Sequence, residues 1–321
     1  MPTPTPPLDL IGDIHGHADE LEALLKKLGY TNASGTYAHP ERTVLFLGDY
    51  IDRGPKIKET LAIVRGMVDA GSAVALMGNH EYNAICFHYE AHKGGHVRKH
   101  LIKNILQHVE TLRQFRDDQV AYNGWIEWFK TLPLFHESEN ESFRAVHACW
   151  DHQHIATLRR ELHGDRLTDA LIHRMVVSED PLHHVIEETL KGKEVKLPRD
   201  GHFLDKDKNK RHHIRYKWWM DPAGKTYKDL SVLEGKFADE PVPPTLIDRR
   251  RVYRPDEPPV FFGHYWLKGF PEPYTDNVCC LDYSVAKSKK DSIGRLVAYS
   301  FDGEQRLDRN KFTWVDAPAK E

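Results

Sequence analysis

Short apolar runs punctuate the N-terminal part of the chain, and each stops at a glycine. Leu8 to Ile11 ends at Gly12, Val44 to Leu47 at Gly48, and Ala73 to Met77 at Gly78. Between the first two runs, Leu21, Leu24, Leu25 and Leu28 recur at the spacing of one helix face, and Gly29 supplies a stop. A helix-compatible stretch around Ile57 to Val68 separates the second run from the third. This pattern predicts β-α-β-α-β with short connections, hence an α/β sheet with parallel neighbours. Phe143 to Val146 and Val260 to Phe262 read as two further strands, each delivering a histidine at its end. Val278 to Leu281 and Arg295 to Phe301, the latter closed by Asp302-Gly303, give the C-terminal end a β character with a hairpin turn. No repeat of solenoid period is present.

A chain of 321 residues accommodates one large domain with an insertion, or two modest ones. Residues 1–7, rich in proline and threonine, read as an extended arm, and residues 8–321 as the main domain. Within it, residues 151–259 are richer in charge, histidine and proline. Lys206 to Arg211 form an exposed basic run there, and Pro241, Pro243 and Pro244 a linker-like cluster. The segment is expected to be an inserted cap or substrate-recognition region.

Lys and Arg total 45 against 48 Asp and Glu, so no global field draws the chain to nucleic acid, and that partner is disfavoured. The four cysteines lack C-x-x-C spacing and are too few for a secreted framework, which makes a reducing, cytoplasmic setting the expectation. Neither a leader pattern nor a run long enough to cross a bilayer is seen, so no membrane partner is expected. Histidine is the unusual count, at 21. His88, His92, His96 and His100 sit four apart, but Gly94 and Gly95 interrupt them, and a solvated surface is expected. The pairs His152/His154, His183/His184 and His212/His213 are read likewise. Trp218 and Trp219 are read as a packing anchor in preference to a base-stacking platform, and Cys149, Cys279 and Cys280 as buried.

Ligands in open α/β sheets gather beyond the carboxyl ends of the strands. There this chain places Gly12-Asp13-Ile14-His15-Gly16, Gly48-Asp49-Tyr50-Ile51-Asp52-Arg53-Gly54 and Gly78-Asn79-His80-Glu81, and later Val146-His147 and Gly263-His264. Carboxylate, imidazole and amide oxygen ligands of this kind suit manganese, iron or zinc and need no thiolate. The five blocks resemble, in order and wording, the calcineurin-like metallophosphoesterases, which include serine/threonine protein phosphatases and bacterial diadenosine tetraphosphatases. The resemblance covers about Leu8 to His147 and resumes near Val260. It implies a two-sheet sandwich flanked by helices and a dinuclear metal site, with manganese or iron first and zinc admissible. It further implies that Asp13 and His15 bind one ion, that Asp49 bridges both, and that Asn79, His147 and His264 bind the second. His80, oriented by Asp52, would protonate the leaving oxygen, and Arg53 would grip the phosphate, to which Asn79 also lies close.

The pattern departs from that of protein phosphatases where Ala148 and Cys149 stand in place of glycines. No motif fixes a second phosphate-binding arginine, and Arg215, close to Trp218 and Trp219, is the candidate. The leading reading is a phosphomonoesterase acting on a small metabolite or a phosphoprotein. A nucleotide phosphodiesterase or pyrophosphohydrolase similar to diadenosine tetraphosphatase is the alternative, and a non-catalytic binding scaffold the third.

Overall fold

Alternation along the first strands explains why two sheets face each other. In the computed structural model, which describes residues 7–32, 35–91, 94–162, 166–175, 180–204, 210–232, 239–289 and 292–319, Leu8, Leu10, Leu45, Leu47 and Leu76 share one buried cluster with Phe143, Ala145, Phe261, Tyr299 and Phe301. Their alternates Ile11, Val44 and Phe46 pack instead with Leu21, Leu24, Leu25, Leu61 and Val64 of the first two helices. A period of two thus divides each strand between a sheet-to-sheet core and a sheet-to-helix core. Each such side chain, fully buried, contributes about 1.5–3 kcal/mol.

The elements run β1 (Leu8–Ile11), α1 (Ala18–Lys27), β2 (Thr43–Phe46), α2 (Ile57–Asp69), β3 (Ala73–Ala75), α3 (Asn79–His88), α4 (Ile102–Gln114), α5 (Gln119–Phe129), β4 (Phe135–Glu137) and β5 (Arg144–Val146). Then come α6 (His152–Glu161), α7 (Asp169–Met175), α8 (Pro181–Lys191), β6 (Glu194–Lys196), β7 (Phe203–Leu204), β8 (Lys210–Arg211), β9 (His213–Arg215) and α9 (Tyr227–Leu230). The chain closes with β10 (Val260–Phe262), β11 (Val278–Cys280), β12 (Asp282–Tyr283), β13 (Arg295–Phe301) and β14 (Phe312–Asp316). One sheet has the order β12-β13-β1-β2-β3, with β14 also on β13, and the other the order β11-β10-β5-β4. Aromatic rings lock the two together, Phe143 on Phe301 and Phe261 on Tyr299, each at 5.2 Å between centroids.

The predicted parallel neighbours are present in β1, β2 and β3. The same sheet is nevertheless mixed, because β13 lies antiparallel to β1 with Leu8 opposite Phe301. The expected hairpin after Phe301 is not a tight one. Residues 302–311 carry a 3-10 turn and bury Leu307 before β14 begins. Residues 1–6 of the expected arm, His92, and Lys206 to Asn209 of the basic run lie outside the described residues; Lys210 and Arg211 are exposed.

Residues 151–259 pack closely on the strand ends. Trp218 and Trp219 are buried against Phe262, and the Trp218 indole N–H donates to the Ala148 carbonyl at 3.0 Å. Both tryptophans are therefore an anchor, unavailable to a base. The Thr189 carbonyl near the end of α8 accepts from the Ala148 and Cys149 amides at 3.1 Å each, which ties α8 to the backbone just after His147. The proline cluster does not act as a linker: Val242 is buried, and Pro241 bridges to Thr226. His154, expected on the surface, is buried and takes a 2.7 Å hydrogen bond from Arg251.

Asp151 ties this segment together. One carboxylate oxygen accepts the Gln153 and His154 amides at the start of α6, and the other accepts Arg251 Nε at 2.7 Å and Lys193 Nζ. Lys193 is itself buried. Burial would raise the Asp151 carboxyl, but the bonds from Arg251 and Lys193 outweigh it and hold the group well below the ordinary carboxylate range. A carboxyl lowered on folding gives stability that is complete above its unfolded pKa of about 3.9 and is lost as pH falls toward the native value. Asp151→Asn, which keeps the helix cap but leaves Lys193 without its counter-charge, is expected to destabilise the protein by about 3–5 kcal/mol in urea unfolding at neutral pH. The difference between variant and wild type should hold down to about pH 4 and shrink below it.

Candidate metal centre

Five loops converge at one end of the two sheets. Those after β1, β2 and β3 bring Asp13 with His15, Asp49 with Asp52 and Arg53, and Asn79 with His80. Those after β5 and β10 bring His147 and His264. The loops bond to one another as well as to their own strands. The Ile14 and His15 amides donate to the Asp49 carbonyl at 3.1 and 2.8 Å, the Gly263 amide to the His147 carbonyl at 2.9 Å, and the His80 amide to Asp49 Oδ1 at 2.9 Å. The His264 amide reaches both Asp13 oxygens, at 3.2 and 3.1 Å.

Tight turns of this kind need unusual backbone. His15, Asp49, Asp52, Arg53, His264 and Trp266 all have φ between +50° and +74°, six of the nine non-glycine residues so placed among the described ones. Each costs on the order of 1 kcal/mol or more, and such strain persists where surrounding bonds over-determine it. Gly263 is required for room, because a Cβ there would stand 2.1 Å from Asp13 Oδ1.

Asp13, His15, Asp49, Asn79, His80, His147 and His264 are all buried. Ligand atoms of His15, Asp49 and His80 form one close group, and those of Asp49, His147 and His264 another, so Asp49 belongs to both. Asp49 Oδ2 lies 3.6 Å from His15 Nε2, and Oδ1 lies 3.4 Å from His147 Nε2. Distance alone thus sets His80 beside His15; its hydrogen bonds set it apart. His80 Nδ1 donates to Asp52 Oδ2 at 2.5 Å, while its Nε2 stands 3.2 Å from Arg53 Nη2.

Two observations show that this donor set fits cations. The His15 and His147 Nδ1–H groups donate to the Ile51 and Leu47 carbonyls, at 2.9 and 2.8 Å, which leaves lone pairs on both Nε2 atoms. The His147 Nε2 lone pair faces Asn79 Oδ1 at 3.1 Å, so two acceptors meet with no proton between them. His15 Nε2 and His264 Nε2, moreover, are buried without any hydrogen-bond partner. Burial sets the titration in the same sense. It pushes His147 down to about 4 and His15 and His264 well below the ordinary imidazole range. It raises Asp13, with Asp282 and Asp49 adding to the effect, and it raises Asp49 as well. Neutral imidazoles and unneutralised carboxylates in one dry pocket suit divalent metals.

Arg215, the sequence candidate for a second phosphate ligand, stands at the end of β9 opposite Glu194, and its charge is felt at both His147 and His264. Arg53 lies over the Trp266 ring, with Cζ 4.2 Å from the centroid.

Several site residues were not legible as such. Trp266 carries no motif of its own. Asp282 in β12 accepts the Trp266 amide at 2.7 Å and comes from far along the chain. Glu81 was visible inside the Gly78 block, but its role was not. Its carboxylate accepts the amides of Gly78, Asp49, Tyr50 and Ile51 at 3.0, 2.9, 2.8 and 3.3 Å, and so shapes the loop that carries Asp49. Burial and the Asp49 charge push it up to about 8 against those four donors.

The profile of the calcineurin-like phosphoesterase family matches residues 6–264. The asymmetrical bis(5'-nucleosyl)-tetraphosphatase PrpE of Bacillus subtilis is 34% identical over 142 residues, which are 44% of this chain and 56% of that protein. A symmetrical bis(5'-nucleosyl)-tetraphosphatase of Marinomonas is 29% identical over 167 residues, 50% of this chain and 52% of that one. The chain therefore spans about half the length of these relatives. Among solved structures, a protein serine/threonine phosphatase from Saccharomyces cerevisiae aligns over 99% of this chain and 82% of its own, with 16% identity and a TM-score of 0.48.

Glu81→Gln sets an NH2 group against two of the four amides that the carboxylate now accepts. It is expected to weaken Mn2+ binding by about 10- to 100-fold in calorimetric titration, with the melting temperature of the metal-free protein changed far less.

Proposed function

The chain belongs to the calcineurin-like phosphoesterase family, and from that premise we propose that it is a metal-dependent phosphoric ester hydrolase. The observation that carries the proposal is the pair of ligand groups sharing Asp49, with a proton donor and a guanidinium at their edge. Asp13, His15 and Asp49 would hold one cation, and Asp49, Asn79, His147 and His264 the other, with manganese or iron the first choices and zinc admissible. When bound, the two cations supply the charge that activates water and draws electron density from the phosphoryl oxygens.

The remaining work falls to the chain itself. Arg53, held over the Trp266 ring, would offer a planar fork to two phosphoryl oxygens, a geometry matched to charge spread over the equatorial plane. Arg215, whose charge is felt at His147 and His264, would add a second positive charge for the phosphate. His80 presents Nε2 to the site while Asp52 keeps the other nitrogen protonated, so the ring in its charged form is aimed to protonate the leaving oxygen. A proton donor matters most when the leaving group is a basic alkoxide, which supports a monoester of a small metabolite or a phosphoprotein. The relatives named bis(5'-nucleosyl)-tetraphosphatases support a second reading, cleavage of a dinucleoside polyphosphate. Residues 151–259, which flank the centre through Arg215 and the backbone anchored on Thr189, would then select the substrate.

Turnover of 4-nitrophenyl phosphate, its bis-ester, a phosphopeptide and diadenosine tetraphosphate, compared with Mn2+ and with chelator, tests the proposal. Mn2+ is expected to restore an activity that Asp49→Asn abolishes, and the fastest substrate chooses between the two readings. His80→Asn is expected to lower kcat by about 10²- to 10⁴-fold on an alkyl phosphate. No turnover of any of the four by the metal-loaded protein would refute catalysis.

A further inference from the structure

Asp52 is held from two sides. Its Oδ2 accepts from His80 Nδ1 at 2.5 Å, and its Oδ1 accepts from a second imidazole, His108 Nδ1, at 2.6 Å, and from the Thr111 hydroxyl at 2.5 Å. The Thr111 oxygen in turn accepts the Asp52 amide at 3.0 Å. Behind His108, the Tyr122 hydroxyl lies 2.7 Å from Nε2. Asp52, His80, His108, Thr111 and Tyr122 are all at most 5% exposed, so no bulk water is at hand to replace a missing donor. His108 and Thr111 lie three residues apart on α4 and therefore share one helix face.

The geometry points to His108 as a positioning residue for the proton donor His80, acting through Asp52; this rests on the hydrolase reading above. The chain has one consistent direction. Tyr122 O–H donates to His108 Nε2, which places the His108 proton on Nδ1 and toward Asp52 Oδ1. Asp52, with one oxygen fixed, then holds the His80 proton on Nδ1 and turns Nε2 to the site. Asp52 sits on a left-handed turn at φ +69°, and the bonds to both of its oxygens fix the plane of its carboxylate. In the reaction, hydroxide formed from a water that has lost one proton to solvent makes a new P–O bond as the P–O bond to the leaving group breaks, and the electron pair of the broken bond stays on the leaving oxygen. The oxygen takes the proton from Nε2 of the charged His80 ring, which is left neutral with Nδ1–H still on Asp52.

Two substitutions of similar polarity separate this role from packing. Asn at position 108 can still donate to Asp52 but cannot reach Tyr122, whereas Gln reaches toward Tyr122 and lacks a donor at the Nδ1 position. Phenyl and 4-nitrophenyl phosphate serve as probes, because phenolate, with a conjugate-acid pKa near 10 as in tyrosine, needs a proton that the weakly basic 4-nitrophenolate does not. His108→Gln is expected to lower kcat for phenyl phosphate by about 10- to 100-fold with KM little changed, and to leave 4-nitrophenyl phosphate within about 3-fold. His108→Asn restores most of the rate.

Histidine 15N NMR of the diamagnetic Zn2+-loaded protein reads the His80 tautomer directly and needs no turnover. A single Nδ1–H form is expected in wild type and His108→Asn, and a mixture in His108→Gln. Equal losses in the two variants, equal losses on the two esters, or an unchanged tautomer in His108→Gln would overturn the inference. Absence of turnover of both esters by the metal-loaded wild type would instead strike the hydrolase reading itself.

Discussion

The structure depends on a charge imbalance that the folded chain does not relieve by itself. Asp13 and Asp49 are buried within one pocket, Asp282 lies beside Asp13, and the imidazoles of His15, His147 and His264 are kept neutral by burial. Isolated buried carboxylates would be strongly unfavourable, and the ordinary escape is for the group to take up a proton. Burial does push Asp13 and Asp49 toward that form. The turn that carries Asp49 is meanwhile fixed by the His80 amide on its Oδ1 and by the four amides on Glu81. Cations at these donors would supply the missing charge in place of protons.

That imbalance also accounts for the backbone. Left-handed φ values at six site residues draw on a reservoir of stability, and the source is close by. Immediately behind the strained turns lies the cluster of Leu8, Leu10, Leu45, Phe143, Phe261 and Phe301, buried between the sheets. Strands β1, β2, β5 and β10 each end in that core and deliver a ligand one to three residues later. The sandwich therefore sets the distances in the site to within what a short turn permits, and the cross-bonds between turns remove the remaining freedom.

Much of this was legible from the chain alone, for an identifiable reason. Strand ends, glycines and ligands are local in sequence, so Leu8 to Ile11 followed by Gly12-Asp13 announces itself. What was not legible depends on partners far away. That β13 would join β1 in antiparallel register is set by Leu8 meeting Phe301, a pairing with no local sign. His154 reads as one more polar helix residue, and partners remote in sequence, Arg251 and Glu188, make it an interior one. His108 lies in a helix whose apolar stripe, Ile102, Ile105, Leu106 and Val109, is exposed, so a periodicity argument assigns the wrong face to the interior. Trp218 and Trp219 show the converse, since their size and apolarity were sufficient to mark an anchor.

Residues 151–259 differ in kind from the framework that they adjoin. They bond to the backbone just after His147 through the Thr189 carbonyl and the Trp218 indole, while the Asp151 ion group ties the segment to itself. None of these supplies a proposed ligand, and the turns that do are bonded chiefly to one another. Such an arrangement separates two demands. The geometry of the proposed ligands is held by the sandwich and by bonds among the five loops, while the adjoining segment carries its own ion pairs and shares the sheet-to-helix core. On the function proposed above, changes to that segment away from Thr189 and Trp218 would alter which ester fits without moving Asp49.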